Sequence, residues 1–209
     1  MKNLIKSVVA AAVLAAPALA FGATYEIDSA HSNAQFTVKH MMVSNVKGVF
    51  GKLSGKINLD EKDITKSSVD VVIDATSIDT RNEQRDNHLK SPDFFDVKSH
   101  PNITFKSTKV EKAADGKLKV TGNLTIRGTT KPVVLDVEGP TNPVKSPFDG
   151  TALIGATATT QLNRKDFGLN WNKAIEAGGV VVGDEVKVTL EIEGGNKAAA
   201  AAPAAKTTK

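Results

Sequence analysis

The feature that most constrains this chain is a period-two alternation of apolar and polar residues that recurs in segment after segment. Successive side chains of a strand point to opposite faces, so alternation of this kind marks strands with one face buried and one in water. In 33–40 the inward set is Ala34, Phe36, Val38 and His40, with Asn33, Gln35, Thr37 and Lys39 outward. In 118–126 it is Leu118, Val120, Gly122, Leu124 and Ile126, and in 186–192 it is Val186, Val188, Leu190 and Ile192. The pattern recurs in 69–75, 103–110 and 133–137, and more weakly in 25–28, 46–59 and 151–162. Together these segments predict about eight strands or slightly more.

Short polar links separate the segments. Asp115-Gly116 is a hairpin-turn signal, and Arg127 to Pro132 is another tight link, so neighbouring strands run antiparallel. A sheet with one solvated face and many edges is satisfied by a sandwich or by a closed barrel, and a barrel of about eight strands has room for one small ligand. The residue pattern leaves both open.

One helix interrupts the strands. Thr80-Arg81-Asn82-Glu83 has capping-box spacing, Asp86 and Lys90 form a favourable i,i+4 pair, and the helix ends near Ser91-Pro92. Ser91 caps a second short turn that delivers Phe94 and Phe95 to an apolar site. The insertion near residues 81–95 therefore reads as a plug or lid across the sheet.

The two ends differ from the middle. Lys2 and Lys6 precede an Ala/Val/Leu run, and Ala18-Leu19-Ala20 offers small residues for cleavage, so 1–20 is expected to be a signal peptide directing export to the periplasm. Its apolar run is shorter than the roughly 18 residues a membrane span needs, and nothing later in the chain reaches that length, so no spanning helix is expected. Residues 194–209, GGNKAAAAAPAAKTTK, are expected to form a disordered Ala-rich tail. Residues 21–193 then form one domain, large enough for a sizeable core. Loss of Lys2 and Lys6 leaves 25 basic against 23 acidic residues, lowering the formal charge from +4 to +2. The lysines are scattered among acids with no interleaved aromatics, which argues against nucleic acid as a partner. Cysteine is absent, which excludes disulfides, thiolate catalysis and thiolate-bound metal.

No nucleophile elbow, phosphate-cradling glycine loop, dinucleotide fingerprint or helical zinc-binding histidine pair is present, so no catalytic residue and no cofactor is assigned. Of the four histidines, at 31, 40, 88 and 100, His40 alone follows inward strand parity, and none has metal-ligand spacing, so no metal site is expected. Arg81, Arg85 and His88 recur at i, i+4 and i+7 and would share a helix face able to grip an anionic head group; the alternative is a solvated face with Arg85 paired to a nearby acid such as Asp86. Phe36, Met41, Met42, Phe50, Phe94, Phe95, Phe105, Phe167 and Trp171 line a pocket or fill a core. Small inward residues, Ala34, Gly122, Ala152, Ala156 and Ala158, would leave a barrel interior partly unfilled. A long-chain lipid is a suitable occupant, since ten buried methylenes at roughly 0.8 kcal/mol each return about 8 kcal/mol, near micromolar affinity before ordering costs.

Several local signatures are shared with one family. Tyr25 to Asp28 with His31-Ser32, Arg85-Asp-Asn-His88-Leu-Lys-Ser91-Pro-Asp-Phe94-Phe95, His100-Pro101 with Thr104-Phe105, Gly122 to Thr125, Gly128 to Pro132 with Val133, and Arg164-Lys-Asp-Phe167-Gly168 occur in order over about residues 24–193. Together they closely resemble the YceI-like family of polyisoprenoid-binding periplasmic proteins. The resemblance implies an all-β fold, an eight-stranded antiparallel lipocalin-like barrel whose tunnel holds a polyisoprenoid or another long-chain lipid, with no catalytic step. It decides for a barrel over a sandwich. Quinone biosynthesis or transport and acid or osmotic stress are expectations from the resemblance alone.

On this reading the chain is a periplasmic carrier of an isoprenoid or acyl lipid, as a monomer or a homodimer. Its site residues are Phe36, Val38, His40, Met42, Phe50, Arg85, His88, Phe94, Phe95, Phe105 and Trp171. Two alternatives stand beside it: a hydrolase using His40 or His88 as base, and a stress-response interaction domain whose barrel interior is simply packed.

Overall fold

In the computed structural model, residues 22–176 and 178–197 are described; the expected signal peptide and residues 198–209 of the expected tail lie outside them. In chain order the strands are β1 (Ala23–Ile27), β2 (Asn33–His40), β3 (Ser44–Phe50), β4 (Leu53–Leu59), β5 (Ser68–Asp74) and β6 (Ile78–Asp79). The helix α1 (Glu83–Lys90) follows, and then β7 (Asn102–Lys112), β8 (Leu118–Ile126), β9 (Thr129–Glu138), β10 (Val144–Lys145), β11 (Ala152–Asn163) and β12 (Val182–Asn196).

These segments make one antiparallel sheet that closes on itself, because β11 pairs with β9 on one edge and with β12 on the other. The ring runs β12-β1-β4-β5-β7-β8-β9-β11 and returns to β12. It is an eight-stranded barrel, with β2, β3 and β6 extending three of the walls: β1 and β2 lie on the same edge of β12, β3 runs into β4, and β6 continues β5. Closure leaves the barrel ring without a free edge.

The walls bend where the alternation breaks. Phe50 and Leu53 both face inward with Gly51 and Lys52 between them, so the single expected strand over 46–59 is two segments with a change of parity. A bulge between Ser107 and Lys109 shifts β7 from odd inward positions, Ile103 and Phe105, to an even one, Val110. Between β1 and β2 the ladder is bridged by Ser32, whose hydroxyl accepts from the Glu193 amide (2.9 Å) and donates to the Glu193 carbonyl (3.3 Å).

Three local expectations are corrected. The N-cap of α1 is Asn82, not Thr80: its side chain accepts from the Arg85 amide at 2.9 Å. Asp86 is drawn back to Thr80, accepting from its amide (2.9 Å) and hydroxyl (2.5 Å) rather than pairing with Lys90. Gly194, Gly195 and Asn196, expected in the tail, instead complete β12 and pair with β11.

The barrel has two unlike ends. One is plugged by Tyr25, Leu59 and Ile154 with Ile64 packed beneath. At the other the β2–β3 turn, the β8–β9 turn, α1 and the segment after β11 converge. There β6 and β7 do not pair, and the chain from α1 to Pro101 occupies the gap, tied by the Ala75 amide to the Pro101 carbonyl (2.8 Å).

Candidate ligand-binding cavity

A cavity of about 250 Å³ runs inside the barrel, reaching from Ile57 and Val137 near the plugged end to Leu89, Phe94, Phe167 and Leu169 beneath α1. Its wall is built by strand parity: Val186, Val188, Leu190 and Ile192 of β12 face it, as do Val120, Leu124 and Ile126 of β8. Over Val186 to Ile192 alone the wall is about 20 Å long at roughly 3.3 Å per residue.

Small residues act in two ways. Ala34, Ala156 and Ala158 open onto the cavity. Gly122 does not enlarge it, because the Phe105 ring lies over that position: a Cβ there would meet Phe105 Cζ at 2.4 Å. Gly48 likewise receives the Phe36 ring, with Phe36 Cζ 2.3 Å from where its Cβ would be. An aromatic on one strand thus fills the space a glycine leaves on the next. Ala152 belongs to the plugged end, packed with Tyr25, Leu59 and Ile154.

Of the sequence-predicted site residues, the structure brings Phe36, Val38, Phe50, Phe94, Phe95 and Phe105 to the cavity wall. Phe50 is central, with the Phe36 ring centroid at 5.8 Å and Phe95 edge-on at 5.5 Å. His40 ends β2 opposite Val182 and Ser44, beyond the wall. Met42 is corrected outright: it lies in the β2–β3 turn, 52% exposed, because the strand ends at His40 and parity no longer governs it.

The helix-face reading is also corrected. Arg81 precedes the N-cap, so it does not share the face of Arg85 and His88. Arg85 turns back, its Nε donating to Thr80 Oγ1 and its Nη2 to the Thr80 carbonyl, both at 2.8 Å. Its fork closes the loop between β6 and α1 rather than addressing the cavity. His88 Nε2 lies 2.9 Å from Asp93 Oδ2, and its ring meets Phe94 and Trp171 edge-on at 5.1 and 4.9 Å. Trp171 is not in the cavity wall; it lines an outer cleft with Pro92, Asp93, Arg127 and Asn170. Phe167, 2% exposed, lines both cavity and cleft and so separates them.

The residue that sequence reasoning left without a role is Arg164. It is the charged side chain of the wall, yet it is 6% exposed and fully engaged. It donates to the carbonyls of Leu169, Trp171 (3.0 Å), Gly183 (2.9 Å) and Val182 (3.3 Å), and pairs with Asp184 (3.3 Å). Burial lowers the proton affinity of the guanidinium and Asp184 offsets this. It pins the segment after β11 to the start of β12. Its partners all follow it within twenty residues, but no local pattern shows that the loop folds back over its side chain.

Asp28, His31 and Glu193 come together at the β1–β2 break, their ligand atoms within 4.8 Å of one another. His31 Nδ1 is 2.8 Å from Asp28 Oδ2 and 3.7 Å from Glu193 Oε1. The hydrogen bond with Asp28 raises the His31 pKa and lowers that of Asp28. With Ser32 on the Glu193 backbone, the group acts as a clasp at the bend. Histidine spacing alone concealed it, since Glu193 is distant in sequence.

Comparison with known proteins agrees with this geometry. A curated UPF0312 protein of Staphylococcus aureus (strain MSSA476) is 41% identical over 170 residues, covering 81% of this chain and 95% of that protein. The crystal structure of a Campylobacter jejuni YCEI protein superposes with TM-score 0.64 at 36% identity, over 76% of this chain and 90% of that one. Two further structures share the fold. They are BcnA of Burkholderia cenocepacia (TM-score 0.68, 24% identity, covering 80% and 98%) and a polyisoprenoid binding domain from Saccharophagus degradans (0.60, 16%, covering 82% and 98%). The family model of the YceI-like domain matches residues 25–194, and the chain belongs to that family.

Proposed function

We propose that this protein binds and carries a long-chain apolar lipid, an isoprenoid or an acyl chain, inside the barrel, and that it does so in the periplasm after removal of residues 1–20. The observation that carries the reading is the cavity itself, walled almost entirely by aliphatic and aromatic side chains. Water would need two to four polar partners there. The polar wall residues are Gln35, Thr160 and Arg164, and among the described residues no buried side-chain nitrogen or oxygen lacks a partner. Such a wall favours hydrocarbon and leaves the polar end of a ligand to the α1 end.

Magnitude supports an occupant. At ~24 cal/mol per Å³ of unfilled apolar space, 250 Å³ forgoes on the order of 6 kcal/mol of packing, which a bound chain would recover. The polyisoprenoid-binding description of the S. degradans domain agrees with this chemistry. The YceI-like family match and the polyisoprenoid-binding neighbour support binding as the role of the cavity.

The test is native mass spectrometry of the mature protein, repeated after organic extraction. A one-to-one adduct, released by extraction and identified as a prenyl or acyl lipid, is expected. A bare mass unchanged after incubation with polyprenyl and fatty-acyl lipids would sink the proposal.

A further inference from the structure

The end of the barrel that the cavity reaches carries an apolar tip whose presence folding does not explain. In the β2–β3 turn the Val43 amide donates to the His40 carbonyl (3.1 Å), and the two residues between, Met41 and Met42, have φ of 51° and 61°. Two left-handed central residues are the preference of Asn-Gly, not of methionine, whose Cβ is strained there. Strain and exposure coincide: Met41 is 38%, Met42 52% and Val43 80% exposed. Three consecutive exposed apolar residues at a strained turn call for a function.

A second turn stands beside the first. Lys173 to Ile175 pair back against Gly179 to Val181, with the Val181 amide donating to the Lys173 carbonyl (2.9 Å), the Ile175 amide to the Gly179 carbonyl (3.3 Å) and a bridge between Ala174 and Val180. The Met41 amide donates to the Val181 carbonyl (2.8 Å), locking the turns together, and Met42 packs over Gly179 close to where Ile175 ends. The joint tip is therefore apolar at its apex. Behind it are Lys39, Lys47 and Lys173, all exposed and in no ion pair among the described residues; the acid in these turns is Glu176.

The tip is continuous with the cavity. Val38, near the end of β2 before the first turn, and Val182, directly after the second turn, both lie in the cavity wall, with His40 paired to Val182. An apolar apex with a collar of unpaired cations matches an anionic bilayer surface, with the apex in the acyl boundary and the lysines at the head groups.

We propose that this paired tip docks the protein on anionic lipid bilayers, placing the α1 end of the cavity against the membrane from which its lipid is taken. The proposal rests on the lipid-carrier reading for its purpose, but the docking is measurable by itself. Full-length mature protein is mixed with phosphatidylethanolamine–phosphatidylglycerol vesicles and floated on a density gradient. In parallel, polyprenyl lipid uptake is followed by mass spectrometry, from vesicles and from detergent micelles.

Wild-type protein is expected to float with the vesicles. Met42→Asp and Val43→Asp should each lower partitioning about tenfold, and Lys39→Gln with Lys173→Gln about fivefold per lysine, an effect abolished at high salt. Phe148→Asp, at the opposite end and 96% exposed in the wild type, should change nothing. Uptake from vesicles should slow in the tip variants while uptake from micelles is retained, which shows that the variants are folded. If wild type does not float, or floats unchanged after Met42→Asp, or is released by Phe148→Asp instead, the docking proposal is overturned whether or not lipid is bound. If wild type floats through the tip but takes lipid from neither source, docking stands and the carrier reading fails.

Discussion

Filling the cavity from its wall inverts the usual effect of enlarging a core residue. Ala158 is 6% exposed, opens onto the cavity, and is flanked by Leu190 and Val137 on neighbouring strands. Ala158→Leu adds three carbons, and at about 0.8 kcal/mol for each buried methylene they return roughly 2.4 kcal/mol. Ordering the longer side chain costs about 0.5–1 kcal/mol, so lipid-free protein should gain about 1.5 kcal/mol. In a domain of this size each kcal/mol shifts Tm by about 2–4 °C, so the expected rise is about 3–6 °C. A tightly packed site would instead lose about 1–3 kcal/mol by overpacking. The lost space should also weaken lipid binding by up to about fiftyfold, the equivalent of three methylenes. Thermal melts of delipidated protein, with and without titrated polyprenyl lipid, read both quantities. A lower Tm for the lipid-free variant, together with unchanged lipid affinity, would refute the argument that the space is empty and used.

Three further outcomes follow from the same geometry. Arg164→Met should cost about 3–5 kcal/mol in denaturant unfolding, because Asp184 and four carbonyls lose a buried donor, and Lys at 164 should restore little, having no fork to reach them. Gly122→Ala should cost about 1–3 kcal/mol and reduce lipid capacity, since its Cβ displaces the Phe105 ring toward the cavity. The clasp should show a pH window. Because the folded His31 pKa is raised, its contribution is complete below 6.5 and fades as pH rises through the folded value. Because the folded Asp28 pKa is lowered, its contribution is complete above 3.8 and fades as pH falls through the folded value. The stability difference between wild type and His31→Ala should therefore peak between those two pH values, measured by denaturant midpoints in buffers of constant ionic strength. A difference that grows above pH 7 would contradict the ion-pair assignment.

Much of this architecture is legible in the chain. Strand periodicity names most of the cavity wall in β2, β8 and β12: Ala34, Phe36 and Val38, then Val120, Leu124 and Ile126, then Val186, Val188, Leu190 and Ile192 line it, while His40, Leu118 and Gly122 do not and Gln35, expected outward, does. Turn chemistry places Asp115-Gly116 in the β7–β8 connection, where both residues adopt positive φ. The Ser91-Pro92 stop delivers Phe94 and Phe95 beneath α1, as their spacing implies. These features depend on neighbours within a few residues.

What only the tertiary structure decided depends on pairs far apart in sequence. Closure of the ring rests on β1 meeting β12 and β11 meeting both β9 and β12, and no local periodicity distinguishes that pairing from a sandwich. Parity fails at Gly51-Lys52 and at the β7 bulge because a wall that bends into a barrel must lose register somewhere. Arg164 and the Asp28–His31–Glu193 clasp acquire roles from loops and strands folded back over them. The cavity, too, is a tertiary property: small residues mark space, but at Gly48 and Gly122 a neighbouring strand's phenylalanine fills it, while Ala34, Ala156 and Ala158 line the cavity.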